Sequence, residues 1–166
     1  MSDVLNILAY AIKREDEGEK FYQENLKRVN SQATRAVLEA LAEMEKEHGE
    51  LLRGRYKALK ETGEWLPVLE DMKGASVFQQ RFEAEKTTKA DLESDLSDIT
   101  ILRMAYLIEN DLAEFYKKAA DNIENPEGKK LFLALSDWEV EHKNALYKVY
   151  QEHFHDNWFD AGFSPF

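Results

Sequence analysis

Residues 40–48 read ALAEMEKEH, and residues 134–142 read ALSDWEVEH. The two stretches lie 94 positions apart, and each carries a Glu-x-x-His: Glu45 with His48, and Glu139 with His142. Residues three apart on an α-helix share a face, so each pair directs both side chains to one side. A further glutamate stands 30 positions before each pair, Glu15 and then Glu109, again 94 apart. Around these, AIKREDEGEKFY (11–22) and AYLIENDLAEFY (105–116) share Ala, Glu, Phe and Tyr at matching places. The chain therefore contains one helix pair twice, and gene duplication is the inference that accounts for it.

Apolar residues recur at three- and four-residue steps through four stretches, which predicts amphipathic helices over 3–29, 31–62, 97–122 and 126–154. Ser31 suits the N-cap of the second helix. Asn125-Pro126 opens the fourth with a capping residue and a proline at the first helical position. Gly63, Pro67 and Gly74 end the second helix and start a connector over 63–96, whose charged 75–93 portion is expected to include a short helix. Short links make antiparallel hairpins of about 3–62 and 97–154, and the connector allows a crossover between them. The expected architecture is an all-α four-helix bundle over 1–154, followed by an aromatic tail at 155–166.

Every candidate residue sits on an apolar seam. The four seams run Leu8, Ala11, Glu15, Gly18, Tyr22; Leu38, Leu41, Glu45, His48, Leu52; Leu102, Ala105, Glu109, Leu112, Tyr116; and Phe132, Leu135, Glu139, His142, Leu146. One buried glutamate with a partner is unremarkable, and a lone exposed Glu-x-x-His is common by chance. Four glutamates converging in a core are different, because an unpaired buried charge costs several kcal/mol. Without metal, some must stay protonated or draw in water. Two divalent cations balance four carboxylates when the histidines are neutral. Carboxylate oxygen with imidazole nitrogen suits iron or manganese, with zinc left open.

Composition narrows the alternatives. The net charge is −11, which argues against a nucleic-acid partner, since phosphate backbones are bound by basic patches. Most of the acidic residues lie off the seams and read as solvated helix faces. No run approaches the length of a membrane span, and MSDVLNILAYAIKRED does not read as a signal peptide, so a cytoplasmic location is expected. The absence of cysteine rules out disulfides and thiolate metal sites within this sequence.

The quoted blocks resemble the helix motifs of the di-iron carboxylate proteins of the ferritin-like superfamily, most closely the rubrerythrin group. The resemblance spans all four helices. It implies a ferritin-like bundle with a long crossover between helices 2 and 3. It also implies two metal ions, iron first, held by Glu15, Glu45, His48, Glu109, Glu139 and His142. Glu45 and Glu139 would bridge the ions, and Glu15 and Glu109 would be terminal ligands. The activity implied is that of a non-haem di-iron oxidoreductase acting on hydrogen peroxide or dioxygen, with an unidentified electron donor, in a homodimer. Two departures bear on this. Leu112 stands where peroxidase-active rubrerythrins carry an additional glutamate, and no cysteine is present for the rubredoxin domain they usually have. The six-residue set is similar to the ferroxidase centre of bacterioferritin as well. The alternative reading is a non-catalytic iron- or manganese-binding protein.

Several neighbours carry two readings each. Tyr22 and Tyr116, two turns beyond Glu15 and Glu109, are either partners for a ligand carboxylate or core tyrosines. Gly18 either leaves space beside the seam or permits close helix packing. Trp138 should point about 100° away from the seam, as core or interface packing and not as an electron relay. Glu47 and Glu141 read as solvated, and His153 and His155 as structural or exposed. The tail is expected to fold back over the bundle or pack on a second subunit.

Overall fold

Ser31 shows how local chemistry starts the second helix. Its hydroxyl accepts from the Thr34 N–H while its backbone is extended, which is N-cap geometry. That helix ends where Gly63 takes φ 74° and returns its N–H to the Leu59 carbonyl, a left-handed cap that favours glycine. The computed structural model describes residues 2–68 and 96–158. These form α1 (Ser2–Asn25), α2 (Gln32–Thr62), α3 (Leu96–Asp121) and α4 (Pro126–Trp158). The Asn125 side chain accepts from the N–H groups of Glu127 and Gly128 at 3.0 and 3.2 Å, capping α4 at the expected place. The expected short helix within 75–93 and the tail beyond Trp158 lie outside the described residues.

Helix α1 ends four residues before the periodicity predicts. The chain turns at 26–28 because Arg35 from α2 donates to the carbonyls of Leu26 and Val29, at 2.7 and 3.0 Å. Val29 is still buried, which is why it extended the apolar pattern. At the other end of the chain, α4 continues to Trp158, four residues past the expected 154.

The dominant packing is α1 on α2 and α3 on α4, with smaller α2–α4 and α1–α3 contacts, as two antiparallel hairpins require. The architecture is the all-α four-helix bundle anticipated. Its core is divided in two. One apolar cluster includes Tyr22, Leu38, Leu41, Leu102 and Leu146. The other includes Leu8, Leu52, Leu112, Tyr116, Phe132 and Leu135. On every helix the seam passes from one cluster to the other through the candidate residues, which form a polar layer across the middle.

Both ends of the bundle are tied. At the α1–α2 link, the fully buried Asp98 of α3 accepts from the backbone N–H groups of Asn30 and Ser31, at 2.9 and 2.8 Å. At the opposite end, Val68 N–H donates to Glu127 at 2.8 Å, and Trp65 lies over Gly128 and Phe132. A methyl group at 128 would come within 2.7 Å of the Trp65 ring, so this close approach needs glycine. Among the described residues no helix is long and apolar enough to cross a membrane.

Replacing Asp98 removes the carboxylate that accepts from the buried Ser31 N–H and the part-buried Asn30 N–H. The expected loss for Asp98→Ala is about 2–3 kcal/mol in urea unfolding of the metal-free protein, with Asp98→Asn recovering part of it. A loss under about 0.5 kcal/mol would show that water replaces the carboxylate at no cost.

Candidate metal centre

Glu15 comes from α1, Glu45 and His48 from α2, Glu109 from α3, and Glu139 and His142 from α4. All six side chains are buried at 0–2% exposure, although four of them are formal anions. Their placement follows from the seams: each lies where an apolar residue would otherwise continue the core. The bundle brings all six together.

They form two overlapping groups. Glu15, Glu45, His48 and Glu139 can each offer one ligand atom within 4.8 Å of the others, and so can Glu45, Glu109, Glu139 and His142. Glu45 and Glu139 belong to both groups. His48 Nδ1 lies 3.2 Å from Glu139 and 3.4 Å from Glu15. His142 Nδ1 lies 2.9 Å from Glu139, 3.2 Å from Glu109 and 3.4 Å from Glu45. The two imidazoles stack at 5.4 Å between centroids, 10° from parallel.

The donor atoms fit divalent cations. Both carboxylate oxygens of Glu45, one each of Glu15 and Glu139, and both ring nitrogens of His48 are buried without a hydrogen-bond partner. Native interiors rarely leave polar atoms orphaned. A cluster of orphans that are all metal donors has a direct explanation in bound cations. Oxygen donors with one imidazole per group match iron or manganese, and the groups can also hold zinc.

In the metal-free chain the strain appears as displaced acid–base equilibria. Burial, then the nearby Glu45 charge, pushes the Glu15 carboxyl well above its ordinary value of 4.5. Burial, followed by the Glu45 and Glu139 charges, does the same to Glu109 against the opposing pull of His142. For Glu139 burial works upward, but the two imidazoles outweigh it and hold this carboxyl low. His142 is raised well above 6.5: burial opposes this, and Glu139 with its hydrogen-bonded neighbours prevails.

Both tyrosines serve carboxylates, and they do so across the bundle. Tyr22 on α1 donates to Glu109 on α3, and Tyr116 on α3 donates to Glu15 on α1. Each hydroxyl is fully buried, and each ties one half of the repeat to the other. Burial first, then the charges of Glu109 and Glu45, raises the Tyr22 phenol well above 10, so it stays a donor.

Trp138 is buried in the core, as expected, and its turn from its own seam brings it against the neighbouring helix. Its indole lies face to face on His48, 4.9 Å between centroids and 15° from parallel. A residue turned 100° off its own helix's seam meets the ligand of the next helix. Gly18 is also decided: a methyl there would rest against Glu45 at an ordinary 3.5 Å, so close helix packing does not require glycine. Leu112, its counterpart, is buried in the apolar cluster. Glu47 is exposed and Glu141 half-buried, and neither joins the groups. The side chains of His153 and His155 lie outside the described residues.

The displaced equilibria set the pH response of the metal-free protein. Glu15 and Glu109 keep protons in the fold that the unfolded chain releases near pH 4.5, and His142 keeps one released near 6.5. The folded state thus binds more protons, and stability falls as pH rises. Glu139, held low, contributes fully throughout this range. In excess chelator the midpoint of thermal unfolding should drop by about 3 °C or more between about pH 5 and 8, roughly 1 kcal/mol for a chain of this size. Saturating Mn2+ or Zn2+ should abolish or reverse the drop, because binding needs ionised carboxylates. A flat metal-free profile would refute this charge balance.

Comparison with known proteins was made against this geometry. The Rubrerythrin family model matches residues 6–96 and 100–160. No curated protein and no solved structure matches the chain. The family match covers nearly the whole sequence, both hairpins and all six clustered residues, and the chain belongs to the rubrerythrin family of ferritin-like di-iron carboxylate proteins.

Proposed function

We propose that the protein is a non-haem di-iron oxidoreductase that reduces hydrogen peroxide or dioxygen. The carrying observation is the pair of buried groups that share Glu45 and Glu139. In this reading Glu15 and His48 hold one ion, Glu109 and His142 hold the other, and Glu45 and Glu139 bridge them. Two ferrous ions so held supply one electron each, enough with two protons to turn one hydrogen peroxide into two waters.

The chain's own residues have defined tasks. The two apolar clusters above and below the layer exclude bulk water, which strengthens every charge interaction within it. Tyr22 and Tyr116 hold Glu109 and Glu15 through their hydroxyls and fix which carboxylate oxygen faces inward. Glu15 and Glu109 carry protons while the centre holds no metal and would give them up when cations enter. A methyl group at Gly18 would meet Glu45 in ordinary contact, and in this reading a small oxidant would approach the centre at that place.

A second reading draws on Leu112. With an apolar side chain buried there, the six-residue set is that of a ferrous-oxidising centre, and a single stoichiometric oxidation followed by retention of iron would make the protein a metal buffer. The two readings differ in turnover.

Anaerobic loading of metal-free protein with ferrous iron should give two ions per chain. Addition of peroxide or air should then develop a diferric absorption band with that same stoichiometry. Repeated cycles with an external reductant indicate an enzyme, and one cycle indicates a buffer. Glu45→Ala and Glu139→Ala should each reduce retention to one ion per chain or fewer. Two ions retained in both variants would contradict the bridging roles.

A further inference from the structure

The repeat makes the two halves of the centre equivalent in their clustered residues but not in what surrounds them. Position 138 is tryptophan, and its counterpart 94 residues earlier is Met44. The indole of Trp138 and the imidazoles of His48 and His142 form one column. Successive centroids are 4.9 and 5.4 Å apart, and planes differ by 15° and 10°.

His48 is held in an unusual way. A ligating histidine normally has its ring fixed by a hydrogen bond from the nitrogen turned away from the metal. Both nitrogens of His48 are buried, and neither has a hydrogen-bond partner. Nδ1 faces Glu139 and Glu15, while Nε2 has no hydrogen-bond partner. His142 Nδ1 likewise faces the cluster, 3.2 Å from Glu109 and 2.9 Å from Glu139, but the repeat places Met44 where the other half has Trp138. The plane of the His48 ring is therefore set by the rings above and below it.

We propose that Trp138 is a positioning residue for His48, and that it makes the two metal positions unequal. The indole face holds the imidazole flat so that Nδ1 stays aimed between Glu15 and Glu139. An electron-rich indole also favours the positive charge that an imidazole takes up when it binds a cation. The Glu15–His48 position then depends on Trp138, and the Glu109–His142 position does not. This rests on the ligand roles proposed above.

Cobalt(II) loading of the metal-free full chain tests it, read by calorimetry, by visible absorption and by tryptophan emission. The wild type should bind two ions. Trp138→Leu keeps an apolar side chain but not the ring, and should retain one ion at wild-type affinity while the other weakens about tenfold or more. The retained ion should be the one that Glu109→Ala removes, and its retention shows that the fold is intact. Trp138→Phe, which restores a flat ring, should recover most of the loss. Emission quenched on filling the weaker position should be absent from that variant.

Wild-type affinity at both positions in Trp138→Leu would overturn the inference alone. Equal weakening of both positions, or equal loss in the Leu and Phe variants, would do the same. Failure of the wild type to bind any ion would overturn the ligand roles as well.

Discussion

Four carboxylates in one dry layer are the constraint on which the rest of this bundle depends. Without cations their repulsion is relieved only by protons on Glu15 and Glu109 and by the two imidazoles around Glu139. Such a layer cannot hold four helices together by itself, since buried charges gain little beyond their lost hydration. The stabilising work falls to the apolar clusters on either side and to the ends. Asp98 fastens α3 to the α1–α2 link, and Trp65 with Glu127 fastens the outgoing chain to α4. Cohesion lies at the two ends and chemistry at the centre, so the middle can change charge without the hairpins parting.

The crossed tyrosines belong to the same logic. Each hairpin supplies a hydroxyl to the carboxylate of the other, so neither half completes its own polar layer. A hairpin alone would bury a glutamate that lacks its donor and a tyrosine that lacks its acceptor. The duplicated unit is therefore a good building block and a poor independent domain. Pairing of α1 with α3 is specified by two hydrogen bonds as well as by apolar contact.

Much of this was legible in the sequence because a helix seam is one-dimensional information. Glu15, Glu45, His48, Glu109, Glu139 and His142 each interrupt an apolar stripe, and the fixed offset allows one arrangement in which all six converge. Caps at Ser31 and Asn125 were legible because their chemistry is local. What was not legible is what depends on neighbouring helices. The end of α1 is set by Arg35, nine residues after the Leu26 carbonyl that it captures. Which carboxylate each tyrosine meets depends on how α1 and α3 face each other. The contact of Trp138 with His48 was hidden for the same reason: periodicity gives an angle about one axis, and in a bundle a side chain turned from its own seam lies against the next helix.

Symmetry and its loss have different sources in this centre. The 94-residue repeat makes the six clustered residues equivalent, which suits a reaction that takes one electron from each of two metals. The departures occur at neighbours of those residues: Gly18 against Leu112, and Met44 against Trp138. Gly18 leaves a methyl-sized space at Glu45, whereas Leu112 joins the apolar cluster in the other half. The Trp138 indole stacks on His48, and the repeat has Met44 at the counterpart position. The repeated hairpin thus supplies matched donors, and the residues next to them differ between the halves. Changes of this kind alter reactivity without disturbing the charge balance that the fold depends on, because none of them adds or removes a charge in the layer.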